Sequence, residues 1–152
     1  MTDFTALQTA VTDHARGCGL FEAVNGHEPK SAPAQTGLTC AVWVQAIGPA
    51  QGASGLATTT GRVELTVRLY SSMLADPPDA IDPALLTAAS TLLAAYSGDF
   101  TLGGQVKHVD LLGSNGIPLS ARAGYLNQDN RLFRVVDITL PMIINDLWAQ
   151  AE

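Results

Sequence analysis

The stretch RVELTVRLY (62–70) decides the fold class of this chain. Its apolar side chains fall at every second position, which is the period of a β-strand. One set, Val63, Leu65, Val67 and Leu69, faces one side, and the other set, Arg62, Glu64, Thr66, Arg68 and Tyr70, faces the opposite side. A strand with one side on a core and the other in water or against a partner is typical of an antiparallel sheet.

Further strands are predicted on both sides of this stretch. The segment GLTCAVWVQAI (37–47) alternates in the same way, and Asn127 to Asn130 carry the turn residues of a hairpin. The predicted strands are 20–24, 37–47, 62–70, 106–112, 122–126 and 132–140. The apolar tail 141–152 also needs burial, because it carries Ile143, Ile144, Leu147 and Trp148.

Two helices complete the predicted elements. Residues 2–18 place apolar side chains at spacings of three and four, with Thr2 or Asp3 as the N-cap. Residues 82–96 form the second helix, with Asp82 as its N-cap and Pro83 at the first helical position. Strands in consecutive runs predict one α+β domain over 1–152: a mostly antiparallel sheet with both helices packed on one face.

The segment GPAQGASGLATTTG (48–61) has four glycines and no charged residue. It is predicted to be a long flexible connection, and loops of this length in a small domain are usually functional. We expect it to be mobile in the isolated protein and to contact a neighbouring subunit, with Gln51, Ser54 and Leu56 as the candidate contacts.

Composition excludes several classes of protein. With 152 residues and 47% hydrophobic content, the chain can bury a real core. Its net charge of −6 argues against a nucleic-acid clamp, because such proteins usually carry a basic excess. Only 14% of the residues are charged, which favours a surface partly covered by partners. No run resembles a membrane span, and the first ten residues do not resemble a secretory signal.

No catalytic, cofactor-binding or metal-binding motif is found. His14, His27 and His108 are far apart, and neither a P-loop nor a G-x-S-x-G sequence is present. Cys18 and Cys40 are expected to be reduced thiols, and Cys40 is expected in the core. The protein is therefore not expected to be an enzyme.

Two charged groups have more than one interpretation. Asp76, Asp79 and Asp82 could bind a cation, but a solvated loop and a helix cap explain them more simply. Arg62, Glu64 and Arg68 share a strand face, so they form either cross-strand ion pairs or a subunit contact. Trp43 is interpreted as a core residue, with an interface as the alternative.

The whole pattern resembles the tail terminator proteins of bacteriophages with long non-contractile tails. RVELTVRLY (62–70) and FRVVDITLPMIIND (133–146) carry the resemblance most clearly, together with the helix that begins DPALLTAAS. These are patterns of a fold and include no catalytic signature.

The resemblance implies a structural virion protein that is assembled in the host cytoplasm and located at the neck end of the tail. It would form a ring of six subunits on the tail tube, end tube polymerisation and offer the surface that meets the head connector. Its partners would be itself, the tail tube protein and the connector, while DNA passes through without specific binding. No cofactor is implied.

In such a ring, Arg62, Glu64 and Arg68 are candidate subunit or tube contacts, and Asp76, Asp79 and Asp99 are candidates for an acidic lumen wall. Two alternatives stay open. One is another neck or head–tail joining protein, and the other is a small ligand-binding α+β domain.

Overall fold

The computed structural model describes residues 2–29, 37–50, 58–74, 77–114 and 116–149. Its elements, in chain order, are α1 (Phe4–Gly17), β1 (Phe21–Asn25), β2 (Leu38–Pro49), β3 (Thr58–Ser72), a 3₁₀ turn (Pro78–Ala80), α2 (Ile81–Gly98), β4 (His108–Val109), β5 (Ser120–Gln128) and β6 (Arg131–Ala149). The loop contacts proposed at Gln51, Ser54 and Leu56, and the lumen candidate Asp76, lie outside the described residues.

One six-stranded sheet forms the centre of the fold. Its order is β1-β2-β3-β6, and β4 and β5 both pair with β6 at different levels along it. β1 pairs with β2 in parallel, and every other pair is antiparallel. The prediction of an α+β fold with a mostly antiparallel sheet is therefore confirmed.

Both helices contribute to a single core on one face of the sheet, which we call the helix face. Val63, Leu65, Val67 and Leu69 of β3 point into this core, as the alternation predicts, and all four are buried. The helices are also joined directly, because the hydroxyl of Tyr96 donates to the backbone oxygen of Val11 at 3.1 Å.

The other side of the sheet, which we call the opposite face, is less exposed to solvent than its polar side chains suggest. Tyr70 is only 1% exposed and lies in a second cluster with Ala41, Phe133 and Val135. Trp43 packs against this cluster but is only half-buried. The expectation that Tyr70 faces water or a partner is wrong, because its own chain covers it.

The two helices begin differently. Asp3 caps α1, since its Oδ1 accepts the backbone N–H of Ala6 at 3.0 Å. Asp82 does not cap α2, and Pro83 is its third residue instead of its first, because that helix begins at Ile81, directly after the 3₁₀ turn. The carboxylate of Asp82 instead pairs with Arg134 of β6 at 2.9 Å, which ties the first turn of α2 to the sheet.

The strands around the predicted flexible connection are longer than the sequence indicates. Gly48 of β2 pairs with Arg62, and Pro49 pairs with Gly61, so the ladder continues into the segment 48–61 from both ends. Only residues 51–57 of that segment are outside the described strands and their flanks. Glycine and proline mark breaks in local propensity, but backbone pairing across the hairpin overrides them.

β4 is the opposite case. The sequence predicts a strand over 106–112, yet only His108–Val109 pair with β6. On either side of this pair, Lys107 and Asp110 still donate their N–H groups to Ile143 and Pro141 of β6, and the chain leaves the sheet after Asp110. Pro141 lies inside β6, between the part of β6 that pairs with β5 and the part that pairs with β4. Its missing N–H therefore leaves no gap in the ladder with β3.

The predicted hairpin near the end of the chain is confirmed. β5 and β6 are joined by Asp129 and Asn130, with φ of +54° and +59°. Positive φ at both central residues matches the type I′ turn, for which Asn and Asp are suited. β6 then runs to Ala149, and this extension accounts for the burial of Ile143 and Ile144 in the predicted tail.

Candidate functional site

Arg62 and Glu64, two of the candidate contact residues, belong to an ion-pair cluster within the chain. The guanidinium of Arg62 pairs with Glu64, lies 3.6 Å from the carboxylate of Asp110, and donates to the backbone oxygen of Ile117 at 2.5 Å. The side chains of Arg62 and Asp110 are 9% and 2% exposed. The cluster therefore fixes the segment between β4 and β5 onto the opposite face of β3.

Gly116 allows this arrangement. An added Cβ at this position would lie 2.8 Å from Cζ of Arg62, so a side chain here would displace the guanidinium. Its φ of +150° also lies outside the range that L-residues adopt readily.

Arg68 is the third candidate contact residue, and it forms the cross-strand ion pair that the sequence allows. It lies directly opposite Asp137 in the ladder between β3 and β6. Its Nε and Nη2 donate to the two carboxylate oxygens at 2.5 and 3.1 Å, and its guanidinium lies 5.1 Å from the centre of the Trp43 ring. The hydrogen bonds to Asp137 raise the pKa of Arg68 above its ordinary value.

The candidate lumen residues Asp79 and Asp99 lie at opposite ends of α2. Asp79 is exposed in the turn before the helix, and Asp99 follows its last turn. A helix of this length spans about 27 Å, so the two carboxylates do not form one acidic patch. Asp99 accepts a hydrogen bond from His14 at 2.9 Å and one from the N–H of Gly103, and these bonds lower its pKa.

The sequence did not reveal two apolar grooves on the helix face. The α1 groove, of about 280 Å³, lies between the start of α1 and the far end of the β2–β3 hairpin, and it is lined by Phe4, Thr5, Leu7, Gln8, Val44, Ile47, Val63 and Leu65. Val44 and Ile47 are about half exposed there, since α1 does not extend over them. The only sign of this groove in the sequence is the pair of apolar residues Val44 and Ile47. They lie on the same face of β2 although they are three residues apart, because a bulge between Val44 and Ala46 breaks the alternation.

The α2 groove, of about 390 Å³, lies between α2 and the β5–β6 hairpin. It is lined by Asp82, Pro83, Leu85, Leu86, Ala123, Arg134 and Val136. Leu86 is 70% exposed at its rim. Arg134, which pairs with Asp82, also has its guanidinium 4.5 Å from the centre of the Tyr125 ring. Because the α1 groove borders β2 and β3 and the α2 groove borders β6 and β5, the grooves lie on different sides of the sheet centre.

Neither groove offers a convergent set of polar groups to orient a small ligand. In the α1 groove, the amide of Gln8 already donates to the carbonyls of Gly26 and Val42. In the α2 groove, Asp82 and Arg134 bind each other. Ligand sites normally combine apolar walls with a few convergent polar groups. What both grooves offer is therefore apolar contact.

The described residues contain no group of three or more His, Cys, Asp and Glu side chains that could hold a metal ion. Of the helices that the structure describes, none has the length and apolar character needed to cross a membrane.

No family model matches the chain, and no curated protein matches it in sequence. Among solved structures, it is similar to the sheath/tube terminator of an extracellular contractile injection system, PVC, in the extended state, with 15% identity and a TM-score of 0.48. That match covers all of this chain and 60% of the terminator chain, so this chain spans less than two thirds of that protein. It is also similar to a chain in the virion of a native gene transfer agent particle, with 16% identity, a TM-score of 0.42, and coverage of 90% and 93%. Both TM-scores lie below 0.5, so neither structure assigns a function to this chain.

Proposed function

We propose that the chain is a structural subunit of a phage-type tail. It forms a closed ring on the end of the tail tube, ends tube polymerisation and provides the surface that joins the head connector. The observation that carries the proposal is the presence of two different apolar grooves on the helix face, one beside β2 and β3 and the other beside β5 and β6. The resemblance of RVELTVRLY and FRVVDITLPMIIND to tail terminators supports the same function and implies six subunits.

A ring needs two different surfaces on each subunit. A head-to-tail contact joins one surface of a subunit to another surface of its neighbour, and it closes when the rotation between neighbours closes. The α1 and α2 grooves fit this requirement, because they are apolar and differ in shape and position. A self-complementary dimer would need only one of them.

The proposal includes a passage for DNA without specific binding. The net charge of −6 repels phosphate, although screening at physiological salt limits that effect to about 8 Å. Asp79 and Asp99, at the two ends of α2, remain the described candidates for the wall of the lumen. Salt-sensitive DNA binding by the purified protein would contradict this part of the proposal.

The ring is tested by association of the purified protein. Sedimentation equilibrium from micromolar to millimolar concentration gives the mass, and negative-stain images show whether closed rings form. Ile47→Glu in the α1 groove and Leu86→Glu in the α2 groove should each reduce association, because a charge then enters an apolar contact. Leu112→Glu is the matched control, since Leu112 is 91% exposed and lines neither groove. Equal association of all three variants would argue against groove-mediated assembly.

Particles assembled without the protein separate the terminator function from head–tail joining. Overlong tails indicate that the protein ends tube growth. Detached tails of normal length indicate that it joins tail to head, and the terminator part of the proposal is then wrong.

A further inference from the structure

We infer that the free edge of β5 binds β1 of a second copy of this chain, so that the two sheets continue across the subunit boundary. The inference rests on the proposed ring and names the backbone contact within it.

β5 has an unprotected edge. It pairs with β6 on one side, and the described part of the chain places no strand on its other side. Its nine residues, SARAGYLNQ, contain one charged residue and no proline. Soluble proteins usually protect a free edge with charges, prolines or bulges, because its unpaired N–H and C=O groups bind other strands. An exposed edge of this length is therefore suited to pairing with another chain.

β1 is the matching edge on the far side of the sheet. It pairs only with β2 among the described strands. Asn25 lies in line with its successive partners on the neighbouring strands, Ala41, Arg68, Asp137 and Arg122. In the same way, Phe21 is level with Leu38, Ser71, Arg134 and Tyr125. The edges of β1 and β5 thus lie at the same height in the sheet and run in opposite directions.

This alignment determines the contact between two copies. A neighbour placed beside the sheet, at the same height, brings residues 23–25 of its β1 against residues 122–124 of β5 in antiparallel pairing. The bulge between Phe21 and Ala23 leaves Glu22 without a directly opposite residue, and Phe21 then meets Tyr125. Ala23 is then opposite Gly124, and Val24 is opposite Ala123. Because neighbouring copies lie at the same height along the strands, such a contact is compatible with a closed ring, which forms when the rotation between neighbours also closes.

The side chains on the two edges are complementary. On the helix face, Phe21 is placed beside Tyr125, and cross-strand aromatic pairs stabilise sheets. Val24 is placed beside Ala123, at the wall of the α2 groove, where a small residue leaves room for it. Strand addition of this kind combines backbone hydrogen bonds with pockets for alternate side chains.

The opposite face adds complementary charge. Glu22 of β1 and Arg122 of β5 are both exposed. The carboxylate nearest to Arg122 in its own ladder, Asp137, is already bound by Arg68. Long side chains reach diagonal partners across a strand pair, so Glu22 of one copy lies within reach of Arg122 of the next.

Disulfide trapping tests the contact directly. In a Cys18→Ser background, the variant Ala23→Cys/Gly124→Cys places two thiols at one level of the joined sheet. The Gly124 substitution fits, because the nearest atom to an added Cβ is 3.8 Å away. Mild oxidation should give a ladder of covalent oligomers that ends at the size of the ring. Ala23→Cys/Ser90→Cys is the control, since Ser90 is exposed on α2 and should give no ladder.

The outcomes separate this inference from the proposed function. Closed rings in images without a β1–β5 cross-link overturn the inference and leave the ring intact. Cross-links formed only within a monomer also overturn it. A protein that stays monomeric at millimolar concentration and gives no cross-links overturns both the inference and the ring.

Charge reversal gives a second, independent readout. Glu22→Arg and Arg122→Glu should each weaken association by about fivefold, because like charges then meet across the joined strands. The double variant Glu22→Arg/Arg122→Glu should recover most of the loss, which a purely structural effect of either substitution would not do. Additive loss in the double variant would overturn the pairing of these two residues.

Discussion

The side chains on the two faces of β3 alternate along a single strand, yet the two sets of side chains are buried in different ways. On the helix face, Val63, Leu65, Val67 and Leu69 pack against both helices in one apolar core. On the opposite face, the buried residues divide into an ion-pair cluster around Arg62 at one end and an aromatic cluster around Tyr70 at the other. The first face is covered by regular elements, and at Arg62 the second is covered by a connecting segment.

This difference shows that a polar position in an alternating strand need not be exposed. Apolar side chains are buried by any apolar neighbour, so their burial follows from the pattern alone. An arginine is buried only where carboxylates and carbonyls from other parts of the chain satisfy it. The stability of the opposite face should therefore depend on pairs of residues, whereas that of the helix face should depend on packed volume.

Removal of packed volume on the helix face should have the largest effect. Leu69 is fully buried, and Leu69→Ala should lower the free energy of unfolding by about 3 kcal/mol through lost burial and a residual cavity. Urea denaturation followed by circular dichroism measures it. Leu86→Ala is the control and should change stability by less than about 0.5 kcal/mol, because Leu86 lies at the surface. Similar losses in both variants would contradict the assignment of the core.

The ion-pair cluster should show coupling. Arg62→Met should cost about 3 kcal/mol, since the carboxylate of Asp110 then stays buried without its cation. Asp110→Asn added to that variant should recover part of the loss, because the amide carries no charge. Denaturation of wild type, both single variants and the double variant gives the coupling free energy. Strict additivity would mean that the two residues act independently.

The aromatic cluster should make the protein sensitive to alkali. Burial raises the pKa of Tyr70 to about 12, whereas a phenol in the unfolded chain ionises near its ordinary value of about 10. The unfolded state therefore releases its proton first, and stability that is complete below pH 10 should fall as the pH rises towards 12. Tyr70→Phe should flatten this part of the stability profile, as measured by urea denaturation at each pH. An unchanged slope would show that Tyr70 does not titrate in this way.

The smallest effect is expected where α1 meets the end of α2. Asp99→Asn should cost about 0.5 kcal/mol at neutral pH, because the pair with His14 is partly exposed. Since the folded state lowers the pKa of Asp99, its contribution is present above the ordinary carboxyl range and is lost as the pH falls through the lowered value. Thermal unfolding at neutral and acidic pH measures this difference. A difference between wild type and variant that is larger at acidic pH would contradict the pairing.

The sequence was a reliable guide wherever the signal is local. The alternation in 62–70, the cap at Asp3 and the turn at Asp129 and Asn130 each depend on residues that are close in the chain, and all three are confirmed. The cap assigned to Asp82 is wrong because the 3₁₀ turn at Pro78–Ala80 starts α2 earlier, at Ile81, and the carboxylate of Asp82 binds the distant Arg134 instead. The strand predicted over 106–112 is short because the chain leaves β6 after Asp110, whose carboxylate joins the cluster around Arg62.

By itself, the sequence determined the α+β class, the faces of the central strand and the positions of both helices, because periodicity and capping are set by neighbours within a few residues. Tertiary structure alone decided the pairing of Arg62 with Asp110 and of Arg68 with Asp137, and also the position of the two grooves. It also placed β1 and β5 at the two edges of the sheet, at the same height along the strands. These features depend on the register between strands that are far apart in the chain, and register is fixed only when the whole sheet packs against its helices.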